Sequence, residues 1–299
     1  MSQHFPIILG IVSLLLIAGA AIAASKKKGG NDFTVPAPAK LRTDLLFGYY
    51  GTYVSDGQDQ VAETQGHVNL VWLWDFLDSQ SAAAILTRMP GCFGVRDVAG
   101  HLFERVDGKL RPRADAEARL RAEFAHLREA GVLGSIKMLV PVDEPNLRET
   151  ALNDHMPWAA ELMRRVAGEF PELQGILLGC IYTGWEAMPH IGLWDVVGLD
   201  FYKDRERIFA PGGKYHQLRD KLRPDQRTMI VPGGYEDCQQ DPAPFVRFAH
   251  ANPEVLIVLA FLWASVPWGT EKGIRDLPAM REKYVAAGRS LKRRDQTDA

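Results

Sequence analysis

The segment SIKMLVPVDEPN, residues 135–146, ends an apolar run with two adjacent carboxylates, Asp143 and Glu144. A carboxyl that is partly buried loses hydration, and this loss raises its pKa. A Glu kept neutral in this way can donate a proton to a leaving oxygen. We therefore predict that Glu144 is a general acid, with Pro145 fixing the backbone beside it. The alternative is an acid that only stabilises a helix N-terminus.

Eight short apolar runs alternate with longer stretches along the chain. Almost wholly apolar runs are typical of parallel strands that are buried on both faces. They occupy residues 45–50, 68–74, 92–98, 135–142, 175–182, 194–202, 228–233 and 255–263. Helices are predicted near 77–88, 115–131, 146–170, 206–222, 239–251 and 274–288. Gly131 has the position of a C-terminal cap, and Asn146 with Glu149 has the spacing of a capping box.

Alternating strands and helices build βαβ units with right-handed crossovers. Eight such units in about 250 residues predict an α/β fold, a closed (β/α)8 TIM barrel. An open doubly wound sheet is the alternative, and it normally carries a glycine-rich phosphate loop after its first strand. Here that place holds YYGTYVSDG, which has neither nucleotide-binding pattern. The barrel is therefore the better prediction.

The C-terminal strand ends of such a barrel form its active face. Acidic and aromatic residues are concentrated at these ends, so we expect them to converge on one rim. Trp263 could instead be a core residue, and Asp200 could bond loop amides. The predicted substrate-binding residues are Asp143, Asp200, Tyr202, Trp263, Trp74, Tyr50 and Asn69.

The motif VPVDEPN resembles the acid/base strand of the clan of (β/α)8 retaining glycoside hydrolases, where Asn-Glu-Pro is common and Glu is the proton donor. WDVVGLDFY and FLWAS are also similar to that clan, whose last strand often supplies a tryptophan platform for the sugar. The resemblance implies that Glu144 is the donor and Trp263 the platform. It also implies a nucleophilic Glu after the seventh strand, for which Glu236 in MIVPGGYED is the candidate and Asp200 the substitute. Asp143 departs from the Asn of the clan.

The prediction is a glycoside hydrolase with a two-carboxylate mechanism that needs no metal or organic cofactor. One alternative is a catalytically inactive carbohydrate-binding or scaffolding barrel, because the place of Glu236 is uncertain. Another is a lyase or aldolase with a lysine base at a strand end, for which Lys137 and Lys203 are the nearest candidates.

Composition excludes several other classes. The net charge is −2 and the basic residues are dispersed, which argues against nucleic-acid binding. The three cysteines form no CxxC pair and HExxH is absent, which argues against a structural zinc site or a disulfide framework.

Residues 5–24 contain no charge and are long enough to span a bilayer as one helix. We predict a membrane anchor over residues 1–28, a linker over 29–41, the barrel over 42–290 and a C-terminal tail over 291–299. A signal peptide cleaved near residue 23, giving a secreted domain, is the alternative. Lysines 26–28 follow the apolar segment and would place the domain on the cytoplasmic side of a membrane, which fits poorly with a polysaccharide substrate. The side is left open.

Overall fold

The computed structural model describes residues 42, 44–52, 54, 55, 58–147, 152–184, 186–200, 202, 208–265 and 272–292. In chain order the strands are β1 (Leu46–Tyr49), β2 (Val54–Ser55), β3 (Gln58–Asp59), β4 (Leu70–Leu73), β5 (Phe93–Asp97), β6 (Phe103–Val106), β7 (Lys109–Pro112), β8 (Ile136–Val140), β9 (Leu177–Thr183), β10 (Val196–Asp200), β11 (Arg227–Val231) and β12 (Val255–Ala260). The helices are α1 (Gln60–Thr64), α2 (Ser79–Arg88), α3 (Ala99–Leu102), α4 (Ala116–Glu129), α5 (Met156–Ala167), α6 (Lys214–Arg219), α7 (Pro242–Ala251) and α8 (Pro278–Lys292).

Eight strands form one parallel sheet in the order β1-β12-β11-β10-β9-β8-β5-β4. All eight strands of the predicted barrel are confirmed, with boundaries shifted by a few residues. The hairpins β2–β3 and β6–β7 were not predicted; they lie in the loops after β1 and after α3. Pro141 and Pro232 each follow the last residue of a strand, where the lost N–H no longer interrupts the ladder.

The ring is closed between β1 and β4 by Asn69, which precedes β4. Its backbone N–H donates to the Phe47 carbonyl at 3.1 Å. Its side-chain oxygen accepts from the Phe47 N–H at 2.7 Å, and its amide nitrogen donates to the Leu45 carbonyl at 3.1 Å. The prediction that Asn69 binds substrate is therefore wrong. Its side chain is used to join two strands at the N-terminal end of β4, opposite the strand ends that carry the acids.

The strands separate two apolar layers, because successive side chains point to opposite faces. Trp72, Val95, Met138 and Ile181 belong to the cluster inside the barrel. The neighbouring positions, such as Leu73 and Leu139, pack with the helices outside. Gly198 is needed in the inner layer, because a side chain there would come within 2.8 Å of Ile181.

Two helix-end predictions have different outcomes. Gly131 adopts φ +72° after α4, and Val132 N–H donates to the Leu127 carbonyl at 3.0 Å, so the predicted C-terminal cap is confirmed. The predicted start at Asn146 is wrong, because α5 begins only at Met156. Glu149, the other half of that capping box, lies outside the described residues.

The predicted anchor and linker also lie outside the described residues. Within the part of the chain that the structure describes, no helix has the length and apolarity needed to cross a membrane.

Candidate active site

Five carboxyl groups meet at the C-terminal ends of four barrel strands. Burial raises the pKa of four of them, and the charge of a neighbouring carboxyl raises the pKa of Asp97, Asp143 and Asp200 further. Parallel strands deliver these side chains from distant parts of the sequence to one rim. The five are Asp75 after β4, Asp97 at the end of β5, Asp143 and Glu144 after β8, and Asp200 at the end of β10.

Glu144 and Asp200 form a pair at the centre of this rim. Only 8% of Glu144 and 7% of Asp200 are exposed. The two side chains are close enough to interact, because burial, followed by the charge of Glu144, raises the pKa of Asp200 well above its ordinary value. Two buried carboxyls that lie close together favour a state in which only one of them is ionised, because a second negative charge beside the first is costly.

The backbone of Glu144 has an unusual conformation, and contacts with β9 hold it in place. Glu144 has φ +45°, in the left-handed region that residues other than glycine rarely occupy. Its N–H donates to the Ile181 carbonyl of β9 at 3.2 Å. The neighbouring Asn146 donates to the Thr183 carbonyl and hydroxyl at 3.2 and 3.0 Å, and its side-chain oxygen accepts from the Thr183 N–H at 3.0 Å. These contacts fix the loop that carries Asp143 and Glu144 to the end of β9.

Asp143 adjoins the pair on the side of β1. Burial and the charge of Glu144 raise its pKa to about 8. The Tyr50 hydroxyl lies beside it, near enough to lower that pKa somewhat, but without the geometry of a full hydrogen bond. Asp143 is thus part of the acid cluster, and its predicted contact with substrate stays a prediction.

Asp97 and Asp75 extend the cluster towards β4 and β5. Burial, followed by the charge of Asp75, raises the pKa of Asp97 well above its usual range. The sequence placed both residues at strand ends but assigned them no role. Arg96 was overlooked, although it is fully buried and bonded to Glu123 at 2.7 Å. A charged residue inside an apolar strand, FGVRDV, was the available indication.

Aromatic rings line the rim above the acids. The Tyr202 hydroxyl lies beside Asp200 and lowers its pKa somewhat. Its ring lies 5.5 Å from that of Phe261 and 5.7 Å from that of Tyr235. Phe261 also approaches Tyr50, at 5.5 Å between centroids. The part of the rim next to Asp200 therefore has an apolar wall that the sequence predicted only through Tyr50 and Tyr202.

Trp263 does not belong to this wall, so the prediction of a tryptophan platform is corrected. It is fully buried and its ring lies 4.5 Å from Tyr49 in the layer outside the strands. Its indole N–H donates to Glu63 at 3.0 Å. The residue at the rim is Phe261, which directly follows β12.

Glu236 is directed to a neighbouring loop rather than to the pair. Its N–H donates to the Lys272 carbonyl at 2.9 Å, and its carboxylate accepts from the Lys272 N–H at 3.2 Å. Its side chain is 40% exposed. The charges that raise the pKa of Asp200 are those of Glu144 and Asp143. Asp200, which the sequence analysis named as the substitute, lies beside Glu144, but at the end of the sixth barrel strand rather than after the seventh, where the second carboxylate was expected.

No metal site accompanies these acids: among the described residues, no three His, Cys, Asp or Glu side chains are arranged to hold an ion.

Comparison with known proteins rests on the fold alone. No protein-family model matches the sequence, and no curated protein is similar to it. A GH113 β-mannanase from Alicyclobacillus acidocaldarius, solved in complex with ManMIm, has a similar structure, with a TM-score of 0.51 and 14% sequence identity. The match covers 84% of this chain and 98% of the mannanase.

The fold is shared with glycoside hydrolases. A GH2 β-galacturonidase from Eisenbergiella tayi, bound to galacturonate, also matches, with a TM-score of 0.50 and 11% identity. That match covers 84% of this chain but only 52% of the galacturonidase, so the chain spans about half of that protein. The resemblance to the barrel clan is confirmed at the level of fold.

Proposed function

We propose that this protein hydrolyses glycosidic bonds, with Glu144 and Asp200 as its two catalytic carboxyls. The observation that carries the proposal is the pair of nearly buried carboxyls that β8 and β10 bring together at the barrel mouth. Burial and the charge of Glu144 raise the pKa of Asp200 well above its ordinary value, so the pair is suited to retain a proton that a carboxyl in water would release. General acid catalysis of glycoside cleavage requires such a proton near the leaving oxygen.

In this proposal Glu144 protonates the glycosidic oxygen and Asp200 acts on the anomeric carbon or on a water. The catalytic carboxyls of glycosidases are roughly 5–5.5 Å apart in retaining enzymes and about 6.5–9.5 Å apart in inverting ones. The chemistry requires one of the two carboxyls to be protonated and the other ionised when the sugar is bound.

The surrounding residues support these roles. The Tyr202 hydroxyl lies beside Asp200 and favours its ionised form. Asp143, whose pKa is raised to about 8, is mostly protonated at neutral pH and adjoins Glu144 as a further buried proton donor. The rings of Tyr202, Tyr235 and Phe261 offer apolar faces against which a sugar ring can pack.

Single replacements of the carboxyls test the proposal. Glu144→Gln and Asp200→Asn should each lower the hydrolysis of β-linked manno- or cello-oligosaccharides by about 10²–10⁴-fold, the usual contribution of such a group. Circular dichroism should show that both variants remain folded. Glu236→Gln is the matched comparison and should keep most activity, because that carboxylate is bonded to Lys272. Full activity in Glu144→Gln or Asp200→Asn would remove that residue from the mechanism.

A carbohydrate-binding barrel without catalysis is the second candidate. The observation in its favour is that Glu236, the acid after the seventh strand, is bonded to Lys272, so the site departs from the clan at this position. Binding of oligosaccharides without turnover of any of them would support this reading.

Tethering to a membrane is a separate proposal and rests on the sequence of residues 5–24. Fractionation of cells that express the full chain tests it. Recovery with membranes that persists after a high-salt wash supports the anchor. A mature protein that begins after residue 23 supports a cleaved signal peptide.

A further inference from the structure

An exposed aromatic ring stands at the barrel mouth on the turn after β4. Phe76 is 46% exposed, and its ring is stacked on that of Trp74 at 5.5 Å with an interplanar angle of 25°. Trp74 in turn meets Tyr50 edge-on, at 4.5 Å between centroids. A continuous series of rings therefore leads from the barrel interior to the solvent, and Phe76 is its outermost member.

The turn that carries Phe76 is also part of the acid cluster. Asp75 directly precedes Phe76, and its backbone carbonyl and carboxyl lie beside Gly100, three residues after Asp97 at the end of β5. Its charge also raises the pKa of Asp97 and of Asp143. Asp143 directly precedes Glu144 of the proposed catalytic pair. The stacked rings are therefore adjacent to the cluster, on its β4 side, and Asp75 connects the two.

The turn is held in place by a buried cation. The Arg96 guanidinium donates to the carbonyls of Trp74 and Leu77, the latter at 2.7 Å, and its charge is paired with Glu123. Both side chains of this pair are fully buried. Burying an ion pair carries a large desolvation cost. Here the buried Arg96 holds both ends of the turn in place. The most exposed side chain of that turn is Phe76.

An aromatic ring that is held in place before a ligand arrives loses little freedom on binding, so it gains affinity from the apolar surface that it covers. We propose that the Trp74–Phe76 stack is a binding platform for a second sugar ring, and that the substrate is an oligosaccharide extending from the catalytic pair across Asp75 to Phe76. This inference rests on the proposed function for the position of the first ring.

The experiment compares substrates that reach Phe76 with substrates that do not. The first set is β-linked manno- and cello-oligosaccharides of two to six sugars. The second is the β-fluorides of mannose and glucose, whose leaving group is too small to occupy a second position. Phe76→Ala should lower kcat/KM for the oligosaccharides by about tenfold, corresponding to ~1.4 kcal/mol of lost stacking. It should leave kcat/KM for the fluorides unchanged.

Two further variants provide controls. Phe76→Trp should restore the oligosaccharide rate, because it keeps an aromatic face. Val106→Ala truncates another exposed apolar side chain, 37% exposed at the end of β6, and should change neither set of rates. Calorimetric binding of the same oligosaccharides to wild type and Phe76→Ala is measured in parallel.

The outcomes separate this inference from the proposed function. Equal losses on both substrate sets, or no loss on either, would overturn the platform and leave hydrolysis standing. Length-dependent binding that Phe76→Ala weakens, without any turnover, would keep the platform and overturn the hydrolase. No binding and no turnover would overturn both.

Discussion

Asp143 should make the folded protein less stable as the pH rises, and replacing it should remove that loss. Its pKa is raised from 3.8 to about 8, chiefly by burial. Between pH 5 and 7 the folded state therefore keeps a proton that the unfolded state has released. Each pH unit then lowers the free energy of unfolding by about 1.4 kcal/mol, or about 3 kcal/mol over the interval. The loss begins near the unfolded pKa and ends near the folded one.

Asp143→Asn carries no titratable group, so its stability should fall less steeply with pH. Urea unfolding of the full chain at pH 5, 6 and 7 measures the slope. Relative to wild type, the variant should gain about 3 kcal/mol more at pH 7 than at pH 5.

Asp225→Asn is the control for this experiment. Asp225 is exposed, and the hydrogen bond from Arg223 lowers its pKa, so it is ionised in both states throughout the interval. Its removal should leave the slope unchanged. Parallel stability curves for Asp143→Asn and wild type would show that Asp143 is ionised in the folded protein, and the account of the acid cluster would then be wrong.

Two further predictions concern the buried pairs around the site. Glu123→Ala should destabilise the protein by about 3–5 kcal/mol in urea unfolding, because it leaves the Arg96 charge buried without its partner; a loss below about 1 kcal/mol would contradict this. Trp263→Phe should cost about 1–3 kcal/mol, because the Glu63 carboxylate loses its indole donor. The kcat/KM of Trp263→Phe for oligosaccharides should stay close to that of wild type, and a large drop would restore Trp263 as a sugar platform.

Much of the barrel could be predicted because buried parallel strands need continuous apolar runs, and all eight runs became barrel strands. The acids at strand ends followed from the same pattern: Asp143, Glu144 and Asp200 do meet at the mouth. The prediction that Asn69 binds substrate placed it at the wrong end of its strand. It precedes its strand, so the polarity of a parallel barrel already placed it away from the rim.

The errors at Trp263 and Glu236 have a different origin. After β12 the chain leaves the ladder, and the regular alternation of side chains no longer tells which residue faces the mouth. Phe261 faces it, whereas Trp263 turns outward to Glu63. After β11 the chain is held by Gly234 N–H bonded to the Phe261 carbonyl, and Glu236 then meets Lys272. Both results depend on contacts between loops that are far apart in sequence.

By itself, the sequence determined the number and order of the strands and placed acids at their C-terminal ends, because hydrophobic burial and strand polarity are local properties of the chain. Only the tertiary structure decided which carboxyls are partners. Glu144 and Asp200 are 56 residues apart, and they interact, with a raised pKa at Asp200, because β8 and β10 both end at one buried rim.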